Sequence, residues 1–403
     1  MDYGDSLIFP GFIDSHVHCY SNLDEGMTNA TRAAAHGGIT TIFDMPYDKS
    51  HPINNEKLFI KKIEDVRNNA YVNVGLWGTI AKNNGVNQLE ELSKNGAIGI
   101  KLSTFETDPD RFPRIPDEQI VDILSASTDY DMLIAFHAEN DDMINRYIDE
   151  SIKDSQVDSI HHYLTRPPVT ETSIVAKLLE FAYWTKSKLH LVHISHPHSV
   201  DIINMYKNQY KVNVSLETCY HYLLLDTEDL KHQGALVKCN PAVQEPEVKR
   251  ELTSLVENKN FDFITSDHAP WIKDLNEKNI FKAPSGLQGL DIMIPLMFDH
   301  LVRNNKLDYK AFSDLFSGNV AKRFNIQNKG KIQIGYDADL TVINPNESWK
   351  LNENYFESIS HQSPFIGRDI HSKVIATIVS GDVVYDGESI IKTNTDKFVK
   401  NNA

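Results

Sequence analysis

Residues 7–18 read LIFPGFIDSHVH, an apolar, strand-forming run that turns acidic at Asp14 and then sets His16 and His18 on either side of one valine. In a strand, positions i and i+2 point to the same face, so the two imidazoles can grip one object together. They can equally be two polar residues on a solvated strand face, because His–x–His is a short pattern. The rest of the chain has to decide.

Seven more runs rich in β-branched and apolar residues follow: ITTIFDMP (39–46), YVNVGLWGTI (71–80), AIGIKLS (97–103), MLIAFHAE (132–139), KLHLVHIS (188–195), VNVSLETC (212–219) and FDFITSDHAP (261–270). Segments with helical periodicity lie between them, such as NEKLFIKKIEDVRNN, TETSIVAKLLEFAYWTKS and EVKRELTSLVENKN, and two more helices follow the eighth strand. Alternating strands and helices imply a parallel sheet with helices outside. Eight repeats is the count for an α/β fold of the (β/α)₈ TIM-like barrel type, although an open doubly wound sheet would show the same local pattern. Past residue 325, NKGKIQIGYDADLTVINPN and SKVIATIVSGDVVYDGE are short alternating strands broken by Gly, Asn and Asp. The expected organisation is a barrel over 7–324 and a small β-sandwich-like domain over 325–403 with 1–6, ending in KTNTDKFVKNNA as a polar, frayed tail.

The 403 residues are 41% hydrophobic and 24% charged, an ordinary soluble composition. A net charge of −16 argues against nucleic acid or an acidic membrane surface as partner. No apolar run approaches the ~20 residues of a membrane helix. The opening MDYGDSLIFPGF has no basic segment ahead of an apolar core, so a secretory signal is not expected. Cys19, Cys219 and Cys239 form no even framework and no CxxC pair, which points to a reducing cytoplasm.

Barrel active sites gather at the carboxyl ends of the strands, so the last residues of each run are a test. The first run ends in His16 and His18, the fourth holds Lys101, the fifth His137 and the sixth His193, and the eighth carries Asp267 and His268. Singly, His137 and His193 read as satisfied core histidines and Asp267 as a helix N-cap. Lys101 is harder to place, because burial in an apolar strand disfavours the ammonium. A neutral amine there can take up carbon dioxide and become a carbamate able to bridge two metal ions. Together these residues compose a two-metal site of nitrogen and oxygen ligands suited to zinc, with manganese or cobalt as alternatives. His16, His18 and Asp267 would hold one ion, His137 and His193 the other, and a carboxylated Lys101 would lie between.

With these residues in place, the chain resembles the cyclic amidohydrolases of the amidohydrolase superfamily, the group of dihydroorotase, hydantoinase and allantoinase. PGFIDSHVH, GIKLS, FHAEN, LVHIS and TSDHAP match its motifs in order over nearly the whole chain. LETCYHYLLL (216–225), GALVKCNPAV (234–243), SGLQGLD (285–291) and HQSPFIGRDI (361–370) look most like the allantoinase forms. The resemblance implies the same six ligands, Asp267 as the group that moves the proton, Asn240 as a backbone contact to substrate, and hydrolysis of a small cyclic amide or ureide. It also implies a homo-oligomer, dimer or tetramer. Relatives carry one more β segment ahead of the barrel, so the N-terminal half of the sandwich is expected to be short or missing here, with an exposed strand edge.

Four departures are read as changes in the pocket. Cys19 and Tyr20 stand where dihydroorotase has an arginine for the substrate carboxylate, which argues against dihydroorotate. Thr104 and Phe105 replace the tyrosine that assists hydantoinases, leaving the oxyanion donor unassigned. Tyr220 replaces a proline of the allantoinase motif, and Tyr47 and Asp48 are also unusual. Competing readings are hydrolysis of a hydantoin or dihydropyrimidine, of an ester or lactone, and a non-catalytic scaffold that keeps the barrel but loses ligands.

Overall fold

The computed structural model describes residues 2–401. The run 7–18, read above as one barrel strand, is two strands: β1 (Leu7–Pro10) and β2 (Phe12–Val17). The break falls at Gly11, where a Cβ would stand 2.1 Å from Thr40 Oγ1, so only glycine lets the chain pass from one sheet into the other. β1 runs antiparallel to β10 (Leu340–Asn344), with Leu7 opposite Ile343, and so stands with the small C-terminal sheet.

β2 runs parallel to β3 (Ile39–Asp44), and β3 to β4 (Asn73–Leu76). A second parallel arc comprises β5 (Ile100–Ser103), β6 (Leu133–His137), β7 (Lys188–Leu191), β8 (Val214–Cys219) and β9 (Phe263–Thr265). Parallel bridges from Gly78 to Ile100 and from Val17 to His268 join the arcs into a ring. The sheet is therefore a closed barrel, and the open-sheet alternative falls away.

Alternation along the strands sorts side chains into two cores. On β6, Ile134 and Phe136 pack outward with the helices, whereas Leu133 and Ala135 join an inner cluster with Ile13, Phe43, Trp77 and Phe263. Phe324 enters that cluster edge-on, 4.9 Å from Phe43 and 5.3 Å from Trp77. Each such buried ring contributes about 1.5–3 kcal/mol. The same period places His137 inside on β6 and, between the outward Ile100 and Leu102, Lys101 inside on β5.

The small sheet has the order β1, β10, β13 (Lys373–Val379), β14 (Asp382–Tyr385), all antiparallel, beside a two-stranded ribbon of β11 (Trp349–Lys350) and β12 (Asp369–Ile370). Thr377 Oγ1 donates to Ala35 O at 2.7 Å and Thr341 Oγ1 to Gly38 O at 2.6 Å, fastening the sheet to the barrel. The predicted frayed tail is instead partly ordered. Its β15 (Phe398–Val399) lies parallel to β4, and Val74 N donates to Lys397 O at 2.7 Å. The bridge to β5 forms at Gly78, beyond the end of β4, so Val74 and Gly75 have free edge for the tail's two apolar residues to pair with. Among the described residues no helix is long and apolar enough to cross a membrane.

Candidate metal centre

The carboxyl ends of β2, β5, β6, β7 and β9 converge on one cavity of about 430 Å³. His16 lies within β2 and His18 just beyond it, while His193 and Asp267 each stand two residues past the end of their strand. His193 and Asp267 have φ of 42° and 45°, the left-handed region that non-glycine residues enter at a cost and mostly at functional sites.

Asp267 Oδ1 lies 3.1 Å from His16 Nε2 and 3.3 Å from His18 Nε2. These three residues can bind a metal: each offers a ligand atom, and the atoms lie within 4.8 Å of one another. A second pair adjoins them, His137 Nδ1 and His193 Nε2 at 2.9 Å, with the His193 ring centroid 5.5 Å from that of His16. Lys101 Nζ lies over the rings of Tyr47 and Phe112, 5.8 and 5.4 Å from their centroids, and has no hydrogen bond or ion pair among the described residues. The structure thus brings all six candidate ligands to one cavity.

Two buried glutamates, which sequence reading missed, fix how the histidines face it. Glu217 Oε1 lies 2.6 Å from His16 Nδ1, and its other oxygen takes His190 Nε2 at 3.1 Å and Ser15 Oγ at 3.3 Å. Glu139 Oε2 lies 2.7 Å from His137 Nε2. An ionised carboxylate only accepts, so the hydrogen sits on His16 Nδ1 and on His137 Nε2, leaving His16 Nε2 and His137 Nδ1 toward the site. Each glutamate sits in a motif quoted above, LETC and FHAEN, and a carboxylate in an apolar strand end is the signal that could have found it.

Electrostatics sharpen the division of roles. Burial opposes charge on His16, but Asp267 and Glu217 outweigh it and raise the imidazole to about 9. Burial lowers His18 to about 4 and pushes His137 and His193 down as well, so those rings are neutral bases. Burial also lowers Lys101 to about 8, against the pull of Asp267 and Glu217. Asp267 stays ionised despite burial because His16 and His18 face it. His193 Nδ1 is buried with no partner, and two ring nitrogens meet across 2.9 Å. Neutral imidazoles, a partnerless buried amine and an ionised carboxylate form a donor set that fits divalent cations.

Asn240 lines the same cavity, its Oδ1 accepting from Ser285 Oγ at 3.2 Å. Of the departures expected in the pocket, Tyr47 and Phe105 do line it. Asp48 does not: it pairs with Lys62 at 2.5 Å, and Lys62 also holds Asp44 at 2.7 Å. Tyr220 is fully buried, donating from its hydroxyl to Gln288 O at 2.6 Å beneath Gly289, so it is scaffold. Thr104 Oγ1 lies 3.0 and 2.9 Å from the carbonyls of His137 and Glu139, tying β5 to β6.

The chain is 30% identical over 410 residues to the allantoinase of Enterococcus faecalis, covering 98% of this chain and 89% of that one. It is 31% identical over 400 residues to the allantoinase of Bacillus licheniformis, covering 96% and 88%. Among solved structures, the L-hydantoinase (dihydropyrimidinase) of Arthrobacter aurescens superposes with a TM-score of 0.93 at 25% identity, covering 99% of this chain and 90% of that one. The dihydropyrimidinase of Brevibacillus agri superposes at 0.89, with the same identity and coverage. The sequence pattern of the amidohydrolase family spans residues 7–384, and the chain belongs to that family.

Proposed function

We propose that this chain, a hydrolase of cyclic amides, opens the ring of allantoin to give allantoate. The observation that carries the reaction is Asp267 Oδ1 facing both His16 and His18 in the cavity, 3.1 and 3.3 Å away. His16, His18 and Asp267 would hold one divalent cation and His137 and His193 a second, zinc suiting the donor set, with manganese or cobalt as alternatives. Lys101 would stand between them as a carbamate, its neutral amine adding to carbon dioxide with loss of one proton. When bound, such ions bring the pKa of water near neutrality and polarise the ring carbonyl. Asp267 accepts a proton from the attacking water and returns it to the ring nitrogen as the C–N bond breaks. Asn240 presents its backbone to the substrate.

Arg111 favours a ring with a polar arm. Of the other cations lining the cavity, Lys238 donates to Ile280 O at 2.8 Å and Arg166 pairs with Glu139. The Arg111 guanidinium has no hydrogen bond or ion pair among the described residues, and its Nε is buried without an acceptor. A ureido arm supplies the missing carbonyl oxygen, whereas an apolar arm leaves these donors unpaired at a cost. Hydantoin or dihydropyrimidine hydrolysis is the second reading. A scaffold role fits poorly, because every candidate ligand is retained.

The test is the initial rate of allantoin hydrolysis by protein loaded with zinc, manganese or cobalt, beside a chelator-treated control. Metal-dependent formation of allantoate is expected. Turnover of hydantoin or dihydrouracil, but not allantoin, would overturn the substrate.

A further inference from the structure

One buried arginine touches both halves of this site without being among its ligands. Arg166 lies between the short helix His161–Leu164 and the long helix Val169–Thr185. Its Nε is 3.3 Å from Glu139 Oε1, and the other oxygen of Glu139 meets His137 Nε2 at 2.7 Å. In the opposite direction, Arg166 Nη1 is 3.2 Å from His162 Nδ1, and His162 Nε2 is 2.7 Å from Cys239 O. Cys239 O belongs to the peptide that leads into Asn240, on the cavity wall. The guanidinium also packs under Phe105, 5.7 Å from its ring centroid.

Arginine has donors, no acceptor and a fixed positive charge, so it acts on one branch by hydrogen bond and on the other by charge. Toward His162, Nδ1 must accept, which puts the ring hydrogen on Nε2 and makes it the donor to Cys239 O. Toward Glu139, the contact is an ion pair whose fixed positive charge keeps the carboxylate ionised, so Oε2 can only accept, which keeps the hydrogen of His137 on Nε2 and its Nδ1 bare. The carbonyl of Cys239 can only accept and agrees with that direction on His162, while beside Glu139 the guanidinium is the fixed cation that holds the carboxylate ionised.

We infer that Arg166 is a positioning residue for both halves of the centre: through Glu139 it presents His137 Nδ1 to the cation, and through His162 it sets the Cys239–Asn240 peptide against the substrate. The second half rests on the ring-opening reading above; the first does not. The two branches make separate predictions. Glu139→Gln cuts only the first and should weaken metal binding about 10- to 100-fold, the usual effect of losing a partner behind a ligand, with KM unchanged once metal is saturating. His162→Phe cuts only the second and should raise KM about 10-fold at unchanged metal affinity. Arg166→Gln should do both, and Arg166→Lys, which keeps a cationic donor, should restore part of each.

The experiment is metal affinity of the full chain by competition with a chromophoric chelator, with no substrate present, followed by kcat and KM for allantoin on fully loaded protein. His162→Gln, which keeps a donor toward Cys239, backs up the phenylalanine variant if that one folds poorly. An Arg166→Gln protein that folds and keeps wild-type metal affinity and KM overturns the inference, as does a His162 variant that changes metal affinity. If the wild type opens no cyclic ureide, the substrate reading and the Asn240 branch fall together, while chelator competition still decides the His137 branch.

Discussion

Glu217 grips His16 from the side away from the cavity, Oε1 lying 2.6 Å from Nδ1 while Asp267 meets Nε2 on the other side at 3.1 Å. The same glutamate also takes His190 and Ser15, so its two oxygens serve three donors. An amide cannot replace it, since its NH₂ would face a donor. Glu217→Gln should therefore weaken metal binding about 10- to 100-fold, read by chelator competition. Unchanged affinity would mean that packing alone orients His16.

Asp267→Asn keeps shape and removes the proposed proton acceptor. With metal restored to wild-type content, kcat for allantoin should fall at least ~10²-fold, the low end for general acid–base catalysis. A near-normal rate in the loaded variant would take proton transfer away from Asp267.

Lys101→Ala should lose metal and activity together, because the truncated side chain can form no carbamate between the two ligand groups. Short carboxylic acids added to the buffer should restore part of both, since they supply the missing oxygens. Full metal content in Lys101→Ala, measured by elemental analysis, would count against a bridging role.

The pH dependence of metal binding follows from His16. Asp267 and Glu217 overcome the effect of burial and hold this imidazole protonated up to about 9, and a protonated ring cannot ligate. Binding must expel that proton, so apparent affinity should climb about tenfold per pH unit between about pH 7 and 9 and level off above. Lys101, lowered by burial to about 8, adds to the same direction because its neutral amine is the reactive form. His18, lowered to about 4, is already unprotonated in that range and adds nothing. Titration calorimetry in buffers of different ionisation enthalpy counts the protons released; none released near neutral pH would remove His16 as a ligand.

How much of this was legible in the sequence depended on period and distance along the chain. The barrel showed because parallel strands are buried on both faces and stand out as apolar runs between amphipathic helices. Lys101 and His137 were legible because a period of two puts them inside whatever the rest of the fold does. The break at Gly11 was not, since an apolar run gives no sign that its halves pair with different sheets; only the approach of Thr40 shows it. Glu217 meets His16 across 201 positions, and no local pattern reports which ring nitrogen it will reach. Motif position places Asp48 and Tyr220 in the pocket, but ion pairing with Lys62 and packing under Gly289 turn them into scaffold.

Arg111 offers the sharpest test of substrate. Its loop is held independently of its side chain: the Asp108 carboxylate accepts from Asp110 N at 3.0 Å and Arg111 N at 2.9 Å, and Phe112 stacks on Tyr47 at 3.6 Å. Arg111→Met should therefore fold normally and remove only the guanidinium. A hydrogen bond to a charged donor is worth about 1.5–3 kcal/mol, so KM for allantoin should rise about 10- to 100-fold while KM for unsubstituted hydantoin stays put. Arg111→Lys should fall between, because an ammonium keeps the charge and loses the planar fork. Equal losses on both rings would place Arg111 in the shape of the loop rather than in recognition of the arm. No loss on either would leave the choice between allantoin and simpler rings to Phe105, Phe112 and the other walls of the cavity.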